Sequence, residues 1–512
     1  MEDRRRQNGM RLEKLCKDSL SQRYIIIAAN RGPFEYYTTE DGKLQARRSG
    51  GWMTSIVNCL SPHKEFSWVI SVMSEGDRKA AQRAEKDRFK APLFGRNVYL
   101  RFVSMPHNMY HKYTWVFCNP LLWFLQHNLW HALYTPTIDR AVYDAWEHGY
   151  LPVNKAFAQA VVAEAKESYE VPIVMIHDYH LYLAPQYIRQ TLPNAIIQHF
   201  THVPWPSPDG WELLPKTMRV SIHSSLCNAD IVGLQNKRFA QNFLYCCNCF
   251  LEGAEVDYRS QTVFYNGHLT HVKSYPVSVD VANLHKLNSS VRVEEYEKKL
   301  SPLWGQRIIV RVDRAEPSKN IVRGLRAYEL LLERHPEMRG KVTFLAFLSP
   351  IRTSMKQLHR YAEEILGTVE AINSRQGTAE WQPIHLFNEN NFAQSLAALH
   401  QYDVLLVNSI SDGMPLVAKE GPLVNQRNGV LVLSEGLGAC EQLGQYALVV
   451  APTDLEATER AIYTALTMSD EERNQRASQL KQLIRDEDMT HWLCCQLEDL
   501  STLCQQMPVT TA

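Results

Sequence analysis

Residues 311–320 read RVDRAEPSKN, and what stands on either side of them decides the fold. Upstream, residues 307–312 form a short β-branched run. Downstream, Ile321, Leu325, Tyr328, Leu331 and Leu332 recur at helical spacing. The segment is therefore a turn from a buried strand into an amphipathic helix that begins near Ser318. Arg314 and Lys319 lie five residues apart in that turn, where both can be aimed at one anion beside helix N-terminal amides. A diphosphate leaving group needs such a site, because negative charge builds on it as its bond to a sugar breaks. The same residues would also suit a solvated capping turn with both cations in water.

The strand-then-helix habit runs through the whole chain. Residues 24–28, 66–72, 97–103, 173–176, 195–200 and 231–234 read as strands, and 307–312, 342–347, 384–387, 404–407, 430–433 and 448–450 repeat the pattern. Near-continuous apolar strands separated by helices imply parallel sheets covered on both faces. Twelve such strands are too many for one compact doubly wound sheet, so the expected class is α/β with two Rossmann-like domains. The predicted division is an N-terminal extension over 1–22, a first domain over 23–275, a second over 276–486, and a C-terminal segment over 487–512 whose helix packs back on the first domain. The hinge is expected within 271–287, around Pro276 and ahead of a charged helix over 291–300. Ligands of open parallel sheets bind beyond the carboxyl ends of the strands. Two sheets facing one another would therefore enclose an interdomain cleft.

Composition narrows the partners. The 512 residues carry 55 Lys plus Arg against 55 Asp plus Glu, so no global field favours a polyanion, and nucleic acid is not an expected partner. No apolar run reaches the roughly 20 residues of a membrane span. The charged start, Met1 to Asn8, lacks the hydrophobic stretch of a secretory signal. A cytoplasmic protein without membrane attachment is expected. Of eleven cysteines the densest group, Cys246, Cys247 and Cys249, falls on a helical stretch without a spaced second pair, which fits reduced core thiols better than zinc. No HxxE pattern occurs in the sequence, the one CxxC spacing (Cys246 to Cys249) falls within that helical cysteine group, the one DxD (486–488) lies in a charged stretch near the C-terminus, and no metal or other cofactor is expected.

A second segment, SDGMPLVAKEGP over 411–422, follows the strand at 404–407 and opens another helix. Gly413 permits a tight turn whose following amides can face a sugar or phosphate. Glu420, eight residues past Asp412, suits the paired hydroxyls of a ribose. The alternative is an ordinary helix with Asp412 as its N-cap. In the first half, ANRGP (29–33) ends the first strand, and Gly50 and Gly51 within RRSGGWMTSI (47–56) let backbone approach a ligand closely. In IHDYH (176–180), His177 at a strand end either meets a sugar hydroxyl or is structural, and Asp178 either caps or takes part in chemistry. No paired carboxylates stand out as a glycosidase acid and nucleophile.

Together, ANRGP, the Gly-Gly loop, IHDYHLYLAP, HVPWPSPDGWELLP (202–215), RVDRAEPSKN and DGMPLVAKEGPLVN resemble glycosyltransferase family 20, the trehalose-6-phosphate synthases and their relatives, over nearly the whole chain after residue 20. The resemblance implies a GT-B fold and metal-independent, retaining transfer of glucose from UDP- or GDP-glucose to glucose 6-phosphate, giving α,α-trehalose 6-phosphate. It implies that Arg314 and Lys319 clamp the donor diphosphate and that Glu420 holds the ribose. Asp412, the backbone from Gly413 through Met414, Leu416 and Val417, and His177 would meet the donor, under a loop carrying Gly51. Arg31 and Arg352 would hold the acceptor phosphate, with Tyr113, Trp123 and Glu147 around the acceptor sugar. A homo-oligomer is compatible with the family.

Three positions depart from the family pattern. Ser71 stands where a tryptophan is usual, Glu147 or His148 where an Asp is expected, and Pro415 where trehalose-phosphate synthases usually carry Asn. These changes bear on the sugars more than on the diphosphate. They leave two rivals open: a pseudo-glycosyltransferase that joins a nucleotide-activated cyclitol to a sugar-like phosphate, and a non-catalytic subunit of a synthase complex. The segment FNENN (387–391) is where a base would stack, with Asn388, Asn390 and Asn391 offering amides to it.

Overall fold

The computed structural model describes residues 2–49, 52–60, 65–84, 88–91, 97–130, 137–350 and 356–506. The chain forms two compact units, residues 1–277 with 489–512, and residues 278–488. Each is built on its own sheet.

The second unit holds six parallel strands in the spatial order Ile384–Phe387, Val342–Ser349, Arg307–Arg314, Val404–Val407, Val430–Ser434, Leu448–Val450. In chain order this is 3-2-1-4-5-6, the arrangement of a dinucleotide-binding sheet. Both faces are covered by helices, which is why Val404–Val407 and Val430–Ser434 are buried at every position. Helix Ile321–Arg334 lays Ile321, Leu325, Tyr328, Leu331 and Leu332 on the sheet, and all five are fully buried. Burial of large apolar side chains contributes roughly 1.5–3 kcal/mol each, which anchors the helix whose start forms the site.

The first unit extends the same winding. Seven parallel strands run in the order Asn97–Val103, Glu65–Ser71, Arg23–Ala28, Val171–His177, Ile196–Phe200, Ile231–Leu234, His268–Ser274. Antiparallel edges complete it: Arg88–Ala91 on one side, and Thr262–Tyr265 with Glu255–Asp257 on the other. A separate hairpin pairs Phe34–Thr38 with Leu44–Arg48. These short additions, absent from the expected strand set, are mostly half-exposed and polar, so they lack the apolar runs that reveal buried strands. The start of the predicted hinge, 271–274, instead belongs to the sheet strand His268–Ser274, and the chain leaves the first unit between Val277 and Ser278.

The last helix, Met489–Gln506, belongs to the first unit. The Trp492 indole N–H donates to the Tyr275 carbonyl at 3.1 Å, Gln198 Nε2 donates to Gln496 Oε1 at 3.1 Å, and the Tyr275 hydroxyl donates to Asp499 at 2.6 Å. Helix Glu2–Lys14 packs beside it, with Arg11 ion-paired to Glu498. Cys246 and Cys247 are buried on helix Lys237–Phe250, whereas Cys249 is exposed rather than a core thiol, because its position falls on the solvent side of that helix. Among the described residues no helix is long and apolar enough to cross a membrane.

Candidate active site

In the second unit the winding reverses between Arg307–Arg314 and Val404–Val407, so the chain leaves their carboxyl ends on either side of a crevice. The two segments singled out in the sequence meet there. The Lys319 ammonium is ion-paired with the Asp412 carboxylate and lies 4.0 Å from Asp313 Oδ1. The Lys319 and Asp412 side chains are only 11% and 14% exposed, so the pair is walled in without being fully closed off. Burial alone would lower the Lys319 pKa, but Asp412 and Asp313 outweigh it and hold the group above its ordinary value. Lys319 is a fixed cation at neutral pH. Burial pushes the Asp313 and Glu316 carboxyls up, against the pull of Arg311 and Lys319 on the first and of Arg314 and Lys319 on the second. Arg314 differs from Lys319: its side chain is 59% exposed, with Nη1 3.0 Å from Glu316 Oε1.

A chain of local contacts fixes this turn. The strand runs to Arg314, a single 3-10 turn spans Pro317–Lys319, and the α-helix starts at Ile321, three residues later than expected. Asn320 joins the two helices in the left-handed region (φ 58°), which Asn tolerates well, and its side-chain amide donates to the carbonyls of Asn408 (2.9 Å) and Pro452 (2.6 Å). Ile410 N–H donates to the Ser318 carbonyl at 2.8 Å, tying the loop after Val404–Val407 directly to the turn.

Asp412 is not a helix cap. Helix Val417–Val424 starts five residues later, with Leu416 at the N-cap accepting from the Lys419 and Glu420 N–H groups at 2.8 Å each. Asp412 instead bridges to Leu437, and its carbonyl accepts from Gly438 N–H at 2.9 Å. Gly413, Met414 and Val417 are buried along this path, Leu416 half-buried. Glu420 lies in the first helical turn, half-buried, and burial pushes its carboxyl up to about 7. The neighbouring Lys419 is fully buried and pushed down to about 7 by the same cause.

The first unit's order reverses between Arg23–Ala28 and Val171–His177. His177 is buried there, its Nδ1 3.2 Å from His202 Nε2. Asp178 follows with φ 74° and ψ 169°, a conformation glycine adopts freely and other residues at a strain of roughly 1–3 kcal/mol. It is held by its own N–H donating to the Phe200 carbonyl (2.7 Å) and its carboxylate accepting from His202 N–H (3.2 Å). Such enforced strain is characteristic of sites where geometry matters more than stability.

The family-model comparison settles what these two crevices belong to: the glycosyltransferase family 20 model matches residues 23–502. The chain belongs to glycosyltransferase family 20. It is 32% identical over 484 residues to an α,α-trehalose-phosphate synthase [UDP-forming] of Pichia angusta, covering 91% of this chain and 97% of that one. It is also 27% identical over 484 residues to a validamine 7-phosphate valienyltransferase of Streptomyces hygroscopicus subsp. jinggangensis, covering 93% and 94%. Among solved structures, an α,α-trehalose 6-phosphate synthase from Burkholderia multivorans superposes with a TM-score of 0.79 at 26% identity, covering 95% of this chain and all of that one. The fold is GT-B.

The remaining family-derived positions fall out unevenly. Gly51 and Arg352 lie outside the described residues. Arg31 is exposed at the end of the first strand, close enough for its charge to act on His180 and Tyr110. Trp123 is half-buried with its ring 4.2 Å from that of His127, and Glu147 is exposed on the wide-turned helix Trp146–Tyr150. Tyr113 does not present its ring to a ligand: it is fully buried, its hydroxyl donates to the His180 carbonyl at 3.1 Å, and it stacks 6.0 Å from Tyr150. The wide turns of Lys112–Trp123 rotate it into the core. Of the three asparagines offered to a base, Asn391 is engaged as an N-cap, accepting from Gln394 N–H (3.2 Å) and donating to the Tyr296 hydroxyl (2.6 Å). Ser71, at the position of the missing tryptophan, is buried and donates to Asn30 Oδ1 at 2.8 Å. Among the described residues no group of three or more His, Cys, Asp or Glu side chains is assembled to hold a metal ion.

The buried histidines give this site a pH signature. Burial lowers His177, His180 and His199 to about 3, helped at His177 by His199 and at His180 by Arg31, and it places His202 well below its ordinary value. Unfolded histidines bind protons below about pH 6.5 and these folded ones do not, so stability falls as pH drops through that window, by about 1.4 kcal/mol per pH unit for each. Asp178, raised to about 6 by burial, keeps a proton that the unfolded chain has lost above about pH 4, so it offsets part of the loss. The urea midpoint is expected to fall clearly between pH 7.5 and 5.5. A midpoint that held or rose would show that these imidazoles are hydrated or already charged in the fold.

Proposed function

We propose that this chain transfers glucose, with retained configuration, from UDP- or GDP-glucose to glucose 6-phosphate, forming α,α-trehalose 6-phosphate. The observation that carries the reading is the walled-in Lys319–Asp412 pair at the reversal point of the second sheet. A cation fixed there, with Arg314 beside it, is placed to neutralise a diphosphate as it departs, and the synthase relatives supply the matching chemistry. Asp412 and the backbone from Gly413 to Val417 face the donor sugar, and Glu420 the ribose.

The sequence offers no carboxylate pair as acid and nucleophile, so the acceptor hydroxyl attacks from the side the nucleotide leaves. Its C–O bond forms as the donor's anomeric C–O bond breaks, and the departing diphosphate takes the hydroxyl proton. Arg31 and Arg352 hold the acceptor phosphate, so most of the rate comes from positioning and preorganised charge. No metal takes part in this scheme, and EDTA is expected to leave the rate unchanged.

A panel of UDP-, GDP- and ADP-glucose with glucose 6-phosphate tests the proposal. The expected result is nucleoside diphosphate and trehalose 6-phosphate in equal amounts, and nucleotide release without a disaccharide phosphate would count against it. The second reading, transfer of a nucleotide-activated cyclitol to a sugar-like phosphate, is favoured by two observations. One is the likeness to the valienyltransferase; the other is Ser71 at the position where the family's tryptophan is usual. Activity on such a pair without activity on glucose 6-phosphate would select it. Nucleotide binding with no turnover on any sugar phosphate would select a non-catalytic subunit.

A further inference from the structure

Arg311 sits inside a strand whose preceding neighbours are Ile308, Ile309 and Val310, and it is as completely buried as they are. A guanidinium so placed must be satisfied by protein groups. Nη1 donates to Asn408 Oδ1 at 2.6 Å, Nη2 donates to the Lys319 carbonyl, and Nε lies 2.9 Å from Asp313 Oδ2. Asn408 is the first residue beyond Val404–Val407, and its own carbonyl accepts from the Asn320 side chain. One planar cation thus joins both loops that flank the reversal point.

The fold keeps space for it. A Cβ on Gly324, in helix Ile321–Arg334, would stand 2.5 Å from Arg311 Nη1 and 3.2 Å from Asn408 Oδ1. Arg311 also divides the charge of Asp313. One oxygen of that carboxylate is ion-paired with the guanidinium, 2.9 Å from Nε, while the other faces Lys319 at 4.0 Å, leaving Asp412 as the nearer partner of the ammonium. Without the guanidinium, Asp313 would carry its full charge toward Lys319 and draw the ammonium back from the crevice.

We propose that Arg311 is a positioning residue for the transfer. It does not touch substrate; its three-way fork sets the height of the turn and the direction of the Lys319 ammonium. This rests on the reading that Lys319 neutralises the departing diphosphate. Misplacing a reacting or stabilising group by about 1 Å costs on the order of 100-fold, so R311M is expected to lower kcat by on the order of 10- to 100-fold with the acceptor KM little changed. R311K keeps the charge but not the fork and is expected to fall with R311M.

The decisive test is a double-mutant cycle on the full-length protein, run at a temperature where circular dichroism shows each variant folded. In a K319A background R311M is expected to cost no more than about twofold further, because the group it positions is gone. Losses that multiply, or an R311M variant with lower Tm and unchanged kcat, would overturn the proposal and leave Arg311 a purely structural residue. If R311M does not fold, G324A crowds the guanidinium without removing it and is expected to give a milder form of the same kcat loss. Wild-type protein that forms no disaccharide phosphate would sink the activity assignment alone. The cycle is then read from the Kd of UDP, GDP and ADP, where R311M must weaken binding when Lys319 is present and leave it unchanged in the K319A background.

Discussion

Replacing Lys319 with alanine lowers kcat by on the order of 100-fold or more, the loss seen when an enzyme is deprived of one preorganised donor to a developing anion. The expectation is this large because Lys319 is a fixed charge. Two carboxylates, Asp412 and Asp313, hold it as a cation against the effect of burial, in a turn tied down from both sides. Arg314 is mostly in solvent and already within reach of Glu316, so it cannot replace a walled-in ammonium. The acceptor KM should change little, since the acceptor phosphate is assigned to Arg31 and Arg352 and not to Lys319. Steady-state kinetics on a variant shown to be folded decides the matter. A turnover number within about threefold of wild type would remove Lys319 from the chemistry. Loss of folding would be read from Tm and attributed to Asp412 and Asp313 left without their cation.

The parallel core of both sheets was legible because burial on two faces forces long apolar runs, and all twelve expected strands exist within a residue or two at most ends. The pairing of RVDRAEPSKN with SDGMPLVAKEGP was legible for a related reason. Chain order places each at the carboxyl end of a strand, and strands one and four of such a sheet are neighbours. What escaped the sequence depends on partners distant in the chain. Arg311 reads as an ordinary polar interruption of a strand until Asn408, 97 positions away, is brought beside it. Tyr113, placed beside the acceptor sugar by resemblance to the family, is instead sent into the core by the wide turns of its helix. The antiparallel edges at Glu255–Asp257 and Arg88–Ala91 carry too few buried positions to show any periodicity.

Substituting Asp403 with alanine should destabilise the second unit by about 3–5 kcal/mol, the range for removing one partner of a buried ion pair. Asp403 is fully buried directly before strand Val404–Val407. Its carboxylate accepts from Arg307 Nη1 at 2.9 Å, Arg473 Nη2 at 3.1 Å and Ile308 N–H at 2.9 Å, with Arg427 Nη2 at 3.2 Å. Its own N–H donates to the Ile308 carbonyl, and its carbonyl accepts from Val430 N–H, both at 2.8 Å. The register between strands Arg307–Arg314 and Val404–Val407 rests on two residue pairs, Ile309 with Val404 and Val310 with Leu405, so this carboxylate pins the pairing that creates the crevice. Without it, three guanidinium groups face one another, that of Arg473 buried and those of Arg307 and Arg427 partly in solvent. The asparagine variant keeps the shape and one acceptor and should lose less. Urea unfolding followed by tryptophan fluorescence measures both. At low urea the turnover per folded molecule should be preserved in Asp403→Ala, because the residue sits at the amino end of a four-residue strand, about 13 Å from the loop that carries Asp412. A stability loss below about 1 kcal/mol would mean that water or a neighbouring carboxylate replaces Asp403, and that the short pairing is held elsewhere.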